Sequence, residues 1–130
     1  MMPLILPHKP RRRRWRPFRQ NGLARICWLI EEAVAAAFAV SVQDLRAPAR
    51  GTAAVAFARQ CAMYLACMTL GTSRHNVGRM FHRDRTTVAH ACEHVEWRRD
   101  DPALDRMLNL LEVVCIDIAQ SKRIEQQVQR

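Results

Sequence analysis

No Gly-x-x-x-x-Gly-Lys-Ser/Thr run occurs in the sequence, and glycine is scarce, at four of 130 residues. That argues against a phosphate loop for nucleotide binding, and the chain has no room for an ATPase domain. Aromatic residues make up only 6%, and β-branched residues are few beside Ala, Leu, Met, Arg and Glu. This mix disfavours strands and favours helices; no strand alternation and no internal repeat is present. The cysteines (Cys27, Cys61, Cys67, Cys92 and Cys115) are odd in number and contain no CxxC pair. The expectation is buried, reduced thiols in a cytoplasmic protein, with no disulfide framework. Met1–Pro7 is too short for a signal h-region and precedes the cations rather than following them. No apolar run reads as long enough to span a bilayer, since residues 28–40 are interrupted by Glu31 and Glu32.

Acid is the other shortage: 12 Asp and Glu face 21 Lys and Arg, giving a net charge of +9. The excess is unevenly placed. Residues 1–20 hold Lys9, Arg11, Arg12, Arg13, Arg14, Arg16 and Arg19 with no acid, and four of the six prolines. Residues 46–85 hold Arg46, Arg50, Arg59, Arg74, Arg79, Arg83 and Arg85 against Asp84 alone, whereas residues 93–117 are net acidic. One basic and one acidic side suit a surface that docks on phosphate.

Residues 1–20 are expected to form a disordered Arg-rich arm, either simply solvated or binding phosphate with Trp15 and Phe18 available to stack. Helical periodicity begins near residue 22, with Leu23, Ile26, Ile30, Val34 and Ala37 on one stripe. Ser41 suits the N-cap of a short turn ending near Leu45, and Pro48 and Gly51 break a loop over 46–52. A helix over 53–70 turns Val55, Ala58, Ala62, Leu65 and Met68 or Thr69 inward and stops at Gly71. Thr72 or Ser73 caps a short helix ending near Phe81. Asp84 is placed to cap a helix over 85–98 by accepting an N–H near Thr87. Asp100, Asp101 and Pro102 open a last helix with Leu104, Met107, Leu108, Leu111, Cys115 and Ile118 on its apolar stripe. From about Ser121 the polar end is expected to fray. The domain proper is therefore 21–120, with 121–130 a frayed tail.

On a helical wheel of about 100° per residue, Val88, Ala91, Cys92 and Val95 gather on one side of helix 85–98. The other side presents Thr86, His90, Glu93 and Trp97, flanked by Arg85, Thr87, Ala89 and His94. Thr and His can donate to phosphate oxygens, and Arg can grip guanine O6 and N7. The helix N-terminus adds backbone N–H groups and partial positive charge. A short helix, a tight turn and a longer helix with such a face form a helix-turn-helix.

Three strings carry a resemblance: Ala58-Arg59-Gln60-Cys61-Ala62-Met63-Tyr64-Leu65, Val77-Gly78-Arg79-Met80-Phe81, and Arg83-Asp84-Arg85-Thr86-Thr87-Val88-Ala89-His90-Ala91-Cys92. They resemble the C-terminal, DNA-box-binding domain of the bacterial replication initiator DnaA, over roughly residues 22–118. The resemblance implies an all-α, Trp-repressor-like helix-turn-helix bundle of about five to six helices. It implies major-groove reading by Asp84, Arg85, Thr86 and Thr87, and phosphate contacts from Arg59, Gln60, Arg83 and His90. It also implies a minor-groove arginine in the basic loop, for which Arg50 is the first candidate and Arg46 the second. Three departures stand out. Arg85 replaces a common His. Phe81-His82-Arg83 is one residue shorter than the usual Phe-Gly-Gly-Arg turn. Ala49, Gly51, Ala53 and Ala54 thin a loop that is Arg- and Lys-rich in initiators.

His90-x-Cys92-x-His94 raises zinc, but Cys92 points inward and further ligands would have to come from His75 or His82. A catalytic Cys–His pair lacks an orienting group and an oxyanion device. Trp97 reads as packing or partner surface. The expectation is therefore a stand-alone, cytoplasmic, nucleoid-associated DNA-binding domain. It has no enzymatic activity, cofactor, metal, nucleotide or membrane. Its partner is double-stranded DNA bearing a DnaA-box-like site, with DnaA or other replication or transcription proteins as secondary partners. The alternatives are a non-specific DNA-binding or protein-interaction module that has lost base reading, and RNA binding through the arm.

Overall fold

The computed structural model describes residues 20–128, which form six helices and no strand. The Arg-rich arm expected over 1–20 lies outside the described residues, apart from Gln20. The helices are α1 (Gln20–Phe38), α2 (Val42–Arg46), α3 (Ala53–Leu70), α4 (Arg74–Phe81), α5 (Arg85–Arg98) and α6 (Pro102–Val128). This is the all-α bundle that the composition and periodicity predict.

Local chemistry sets most boundaries. Ser41, Thr52 and Ser73 cap α2, α3 and α4 by accepting the N–H of Asp44, Val55 and Asn76 at 3.0, 3.2 and 3.1 Å. Each satisfies one of the donors that a helix leaves unpaired in its first turn. Asp101 Oδ1 accepts the Ala103 N–H at 3.0 Å, and Pro102 takes the first position of α6. At the other end, α1 closes with the Val40 N–H on the Ala35 carbonyl and the Ala39 N–H on the Ala36 carbonyl. This Schellman pattern needs a left-handed residue between them. Ala39, at φ 54°, fills that position where glycine would be unstrained.

α3 is the axis, contacting every other helix. Its buried residues, Val55, Ala58, Arg59, Cys61, Ala62, Met63, Tyr64, Leu65, Ala66, Thr69 and Leu70, surround the helix rather than forming one stripe. A helix covered on all sides is apolar all round. This corrects the membrane reading: α3 is long and apolar enough to cross a bilayer by length and composition, and here it is the core helix. Around it, α1 contributes Leu23, Ile26, Cys27, Ile30, Val34 and Ala35, α5 Val88, Ala91 and Val95, and α6 Leu104, Leu108, Leu111, Cys115 and Ala119. All five cysteines are free, with Cys27, Cys61 and Cys115 buried. Burial pushes those three thiols up to about 12.

The polar composition from Ser121 predicts fraying, but α6 continues without a break to Val128. Good helix formers such as Gln, Lys, Arg and Glu suffice to extend a helix already nucleated by packing.

Candidate nucleic-acid interface

α4, the residues His82 to Asp84 and α5 make a tight helix-turn-helix. The turn repeats the Schellman geometry: the Arg83 N–H donates to the Gly78 carbonyl at 2.8 Å and the His82 N–H to the Arg79 carbonyl at 3.4 Å. His82 takes the left-handed position, at φ 55°. Gly78 is required by space, because a Cβ there would lie 2.5 Å from the Arg83 carbonyl oxygen. Together these bonds bring α5 against α4 after three intervening residues.

The first turn of α5 is left open. Asp84 occupies the N-cap position, but its carboxylate makes no cap hydrogen bond. The expectation that it accepts an N–H near Thr87 is therefore corrected. The cap geometry supplies only the Asp84 carbonyl, which accepts the Val88 N–H at 3.1 Å. The Asp84 carboxylate and the early backbone donors of α5 remain available to an incoming ligand. Arg85, Thr86, Thr87 and His90 are all exposed along this end, while Val88 and Ala91 fix the opposite face in the core.

The basic loop between α2 and α3 sits beside the turn. Arg83 Nη2 donates to the Ala47 carbonyl at 2.9 Å. Arg59, expected to face phosphate, is 6% exposed and reaches back beneath the loop from α3. Its Nε donates to the Leu45 carbonyl at 2.8 Å and its Nη1 to the Arg50 carbonyl at 3.0 Å. Its Nη2 donates to the carbonyls of Asp44, Ala49 and Ala47 at 2.9, 3.2 and 3.5 Å. Burial lowers the proton affinity of this guanidinium, and the charges of Arg83 and Arg50 lower it further. The direct phosphate contact expected of Arg59 is thus corrected to internal bracing. Arg59 lies four residues after Val55, but buried positions surround α3, so its place on the helix does not say where its guanidinium ends.

Arg46 is also redirected. Its Nε pairs with Glu31 at 2.9 Å and its guanidinium lies 5.2 Å from the Trp28 ring centroid, so it holds α2 against α1. Burial raises the Glu31 carboxyl above its ordinary range, and Arg46 only partly opposes this. Arg50 stays exposed on the loop and Gln60 is half-buried on α3. Among the described residues, none of Arg50, Arg59, Arg74, Arg79, Arg83 and Arg85 has a carboxylate at ion-pair distance.

The far end of α5 is different and escaped the sequence reading. Arg98 lies 4.7 Å over the Phe57 ring, which meets His94 and Phe38 edge-on. Tyr64 donates to Glu96 at 2.6 Å, and Arg99 donates to Tyr64, Asp105, Glu112 and Asn109. No group of three His, Cys, Asp or Glu side chains among the described residues converges to hold a metal.

An uncapped helix, an adjoining loop and a set of arginines without carboxylate partners among the described residues define a helix-turn-helix domain of the DNA-binding kind. The family described as bacterial dnaA protein helix-turn-helix matches residues 28–95, over half of the chain. The chain belongs to that family. It is 45% identical over 84 residues to the chromosomal replication initiator protein DnaA of Bartonella quintana, covering 63% of this chain and 17% of that protein. It is 37% identical over 83 residues to DnaA 1 of Protochlamydia amoebophila, covering 63% and 18%. A crystal structure of a DNA replication initiation factor superposes with a TM-score of 0.67 at 29% identity, covering 75% of this chain and 30% of that one. The chain thus spans about a fifth of the length of the curated relatives it matches.

Proposed function

We propose that this domain binds double-stranded DNA sequence-specifically, with the N-terminal half of α5 in the major groove. The observation that carries this reading is the cluster of arginines without carboxylates around the open first turn of α5. Arg85 and Thr86 or Thr87 read base edges, and Arg85 can take guanine O6 and N7 in a bidentate grip. The uncapped carboxylate of Asp84 accepts a base amino proton. Arg83, His90 and Gln60 hold phosphates, and Arg50 enters the adjacent minor groove. Arg59 acts inside the protein, and Arg46 is held on the surface by Glu31 and Trp28.

The relatives named DnaA are chromosomal replication initiators. The role that fits a DNA-reading domain of this family is regulation of replication initiation or transcription by occupying DnaA-box-like sites. It would act in the cytoplasm at the nucleoid, as a binding module without catalysis. DnaA itself and other replication or transcription proteins are the secondary partners.

The test is selection from a random duplex library, followed by salt titration of the selected site. A recovered motif that degrades in Arg85→Ala, at a cost of about 1–3 kcal/mol, supports base reading. A second reading, a basic clamp without base preference, is favoured by the thin loop, where Ala49, Gly51, Ala53 and Ala54 carry no charge. Equal, steeply salt-dependent binding to all duplexes would establish it.

A further inference from the structure

Two guanidinium groups converge on one loop oxygen. Arg59, from the core helix α3, and Arg83, from the turn that launches α5, both donate to the Ala47 carbonyl. Arg59 also holds the carbonyls of residues 44, 45, 49 and 50. The loop that carries Arg50 is thereby tied to the core from Ala47 to Arg50, and at Ala47 to the base of α5 as well. Both ties are made to backbone, so they fix the loop's path rather than any side chain.

We infer that Arg59 is a positioning residue that, with Arg83, fixes the distance between Arg50 and α5, so that the domain measures the spacing between a minor-groove and a major-groove element of its duplex. The inference rests on the DNA-reading role proposed above. The physical ground is rigidity. A loop held at three of its carbonyls, with two more in α2, by one buried planar donor cannot shift by a base-pair step of about 3.4 Å without breaking several of these contacts. Lysine could not substitute: its ammonium has three donors around a point and no planar fork.

The experiment uses the full chain and a duplex selected by that chain from a random library. Affinities of wild type, Arg59→Lys, Arg50→Ala and the double variant are measured on this duplex. They are measured again on a copy with one base pair inserted between the bases whose selection depends on Arg50 and those that depend on Arg85. Wild type is expected to reject the insertion by on the order of 10- to 100-fold, the cost of about one mismatched position. Arg59→Lys is expected to weaken the parent site by a similar factor and to discriminate against the insertion by less than about threefold. In the Arg50→Ala background, Arg59→Lys should add less than about twofold, because the group it positions is gone.

Additive losses, an unchanged insertion penalty and a flatter salt dependence would overturn the inference, since that is how a direct phosphate contact behaves. If Arg59→Lys does not fold, the Arg59 Nε–H of the wild-type chain decides by NMR. Slow exchange, unaltered when duplex is added, supports the clamp, and fast exchange in the free chain overturns it. A chain that selects no motif sinks both this inference and the reading role. A motif that depends on Arg85 but ignores the Arg59 change sinks this inference alone.

Discussion

Arg59 and Arg99 are both withdrawn from solvent and both brace the fold, yet their surroundings are opposite in charge. Arg99 lies among carboxylates, with Asp105 and Glu112 each 2.6 Å away and Tyr64 at 3.0 Å. Burial alone would lower its proton affinity, but the hydrogen bonds to Asp105, Glu112 and Tyr64 outweigh this and raise it. Arg59 meets only backbone carbonyls, and its charged neighbours are two more arginines. Carbonyl dipoles solvate a cation without cancelling its charge. The two ends of α5 therefore differ in kind. Its C-terminal end closes a neutralised structural network. Its N-terminal end is packed tightly while its positive charge is left uncancelled, which is the state a polyanion favours.

Breaking each end separately should separate stability from binding. Gly78→Ala should have the largest effect, about 3 kcal/mol or more of stability, because its Cβ would meet a backbone oxygen that cannot rotate away. Denaturant titration would report the loss, and DNA binding should fall with it because the turn aims α5. Arg99→Ala should cost about 2 kcal/mol by stranding two part-buried carboxylates and the Tyr64 hydroxyl. In that variant the affinity of the folded fraction for DNA should be unchanged; a fall in affinity would show that the two ends are coupled.

A paired experiment sharpens the contrast. Ala39→Gly and His82→Gly each relieve a left-handed residue and should each add about 1 kcal/mol to stability by thermal unfolding. Only His82→Gly should change DNA affinity, since His82 lies in the reading turn.

The smallest effect is electrostatic. The Glu31 carboxyl is raised by burial, so the folded state binds its proton more tightly than the unfolded state. Its contribution to stability is full below the unfolded carboxylate value and is lost as pH rises through the higher folded one. Denaturation followed between mildly acidic and neutral pH should show this slope in wild type and lose it in Glu31→Gln. An identical slope in both would mean that Arg46 compensates Glu31 fully.

Much of the fold is legible from local chemistry. Ser41, Ser73, Gly71 and the Asp101-Pro102 pair mark helix ends because capping is decided within a few residues, and the 85–98 helix emerges with its bounds intact. The family strings around Arg59, Gly78 and Thr86 mark the candidate interface. What stays hidden is where long side chains end. An arginine can reach phosphate, a ring or a buried carbonyl from the same backbone position, and only tertiary packing chooses. That is why Arg59 turns inward and Arg46 lies along α1, and why the Tyr64–Glu96–Arg99 network has no sequence signature. Periodicity likewise reads α3 as one stripe because it cannot count the helices that will surround it.

The grip of Arg59 has a consequence for how this loop can vary. All five of its contacts are to main-chain oxygens, which every amino acid supplies. Apart from Gly51, held at φ 76°, the path of the loop is consequently insulated from its spelling. Exchange of the exposed Ala49 for lysine or arginine should leave these main-chain contacts in place and alter the surface charge. The strength of a domain's hold on its polyanion can then be graded by substitution within a frame that keeps its shape.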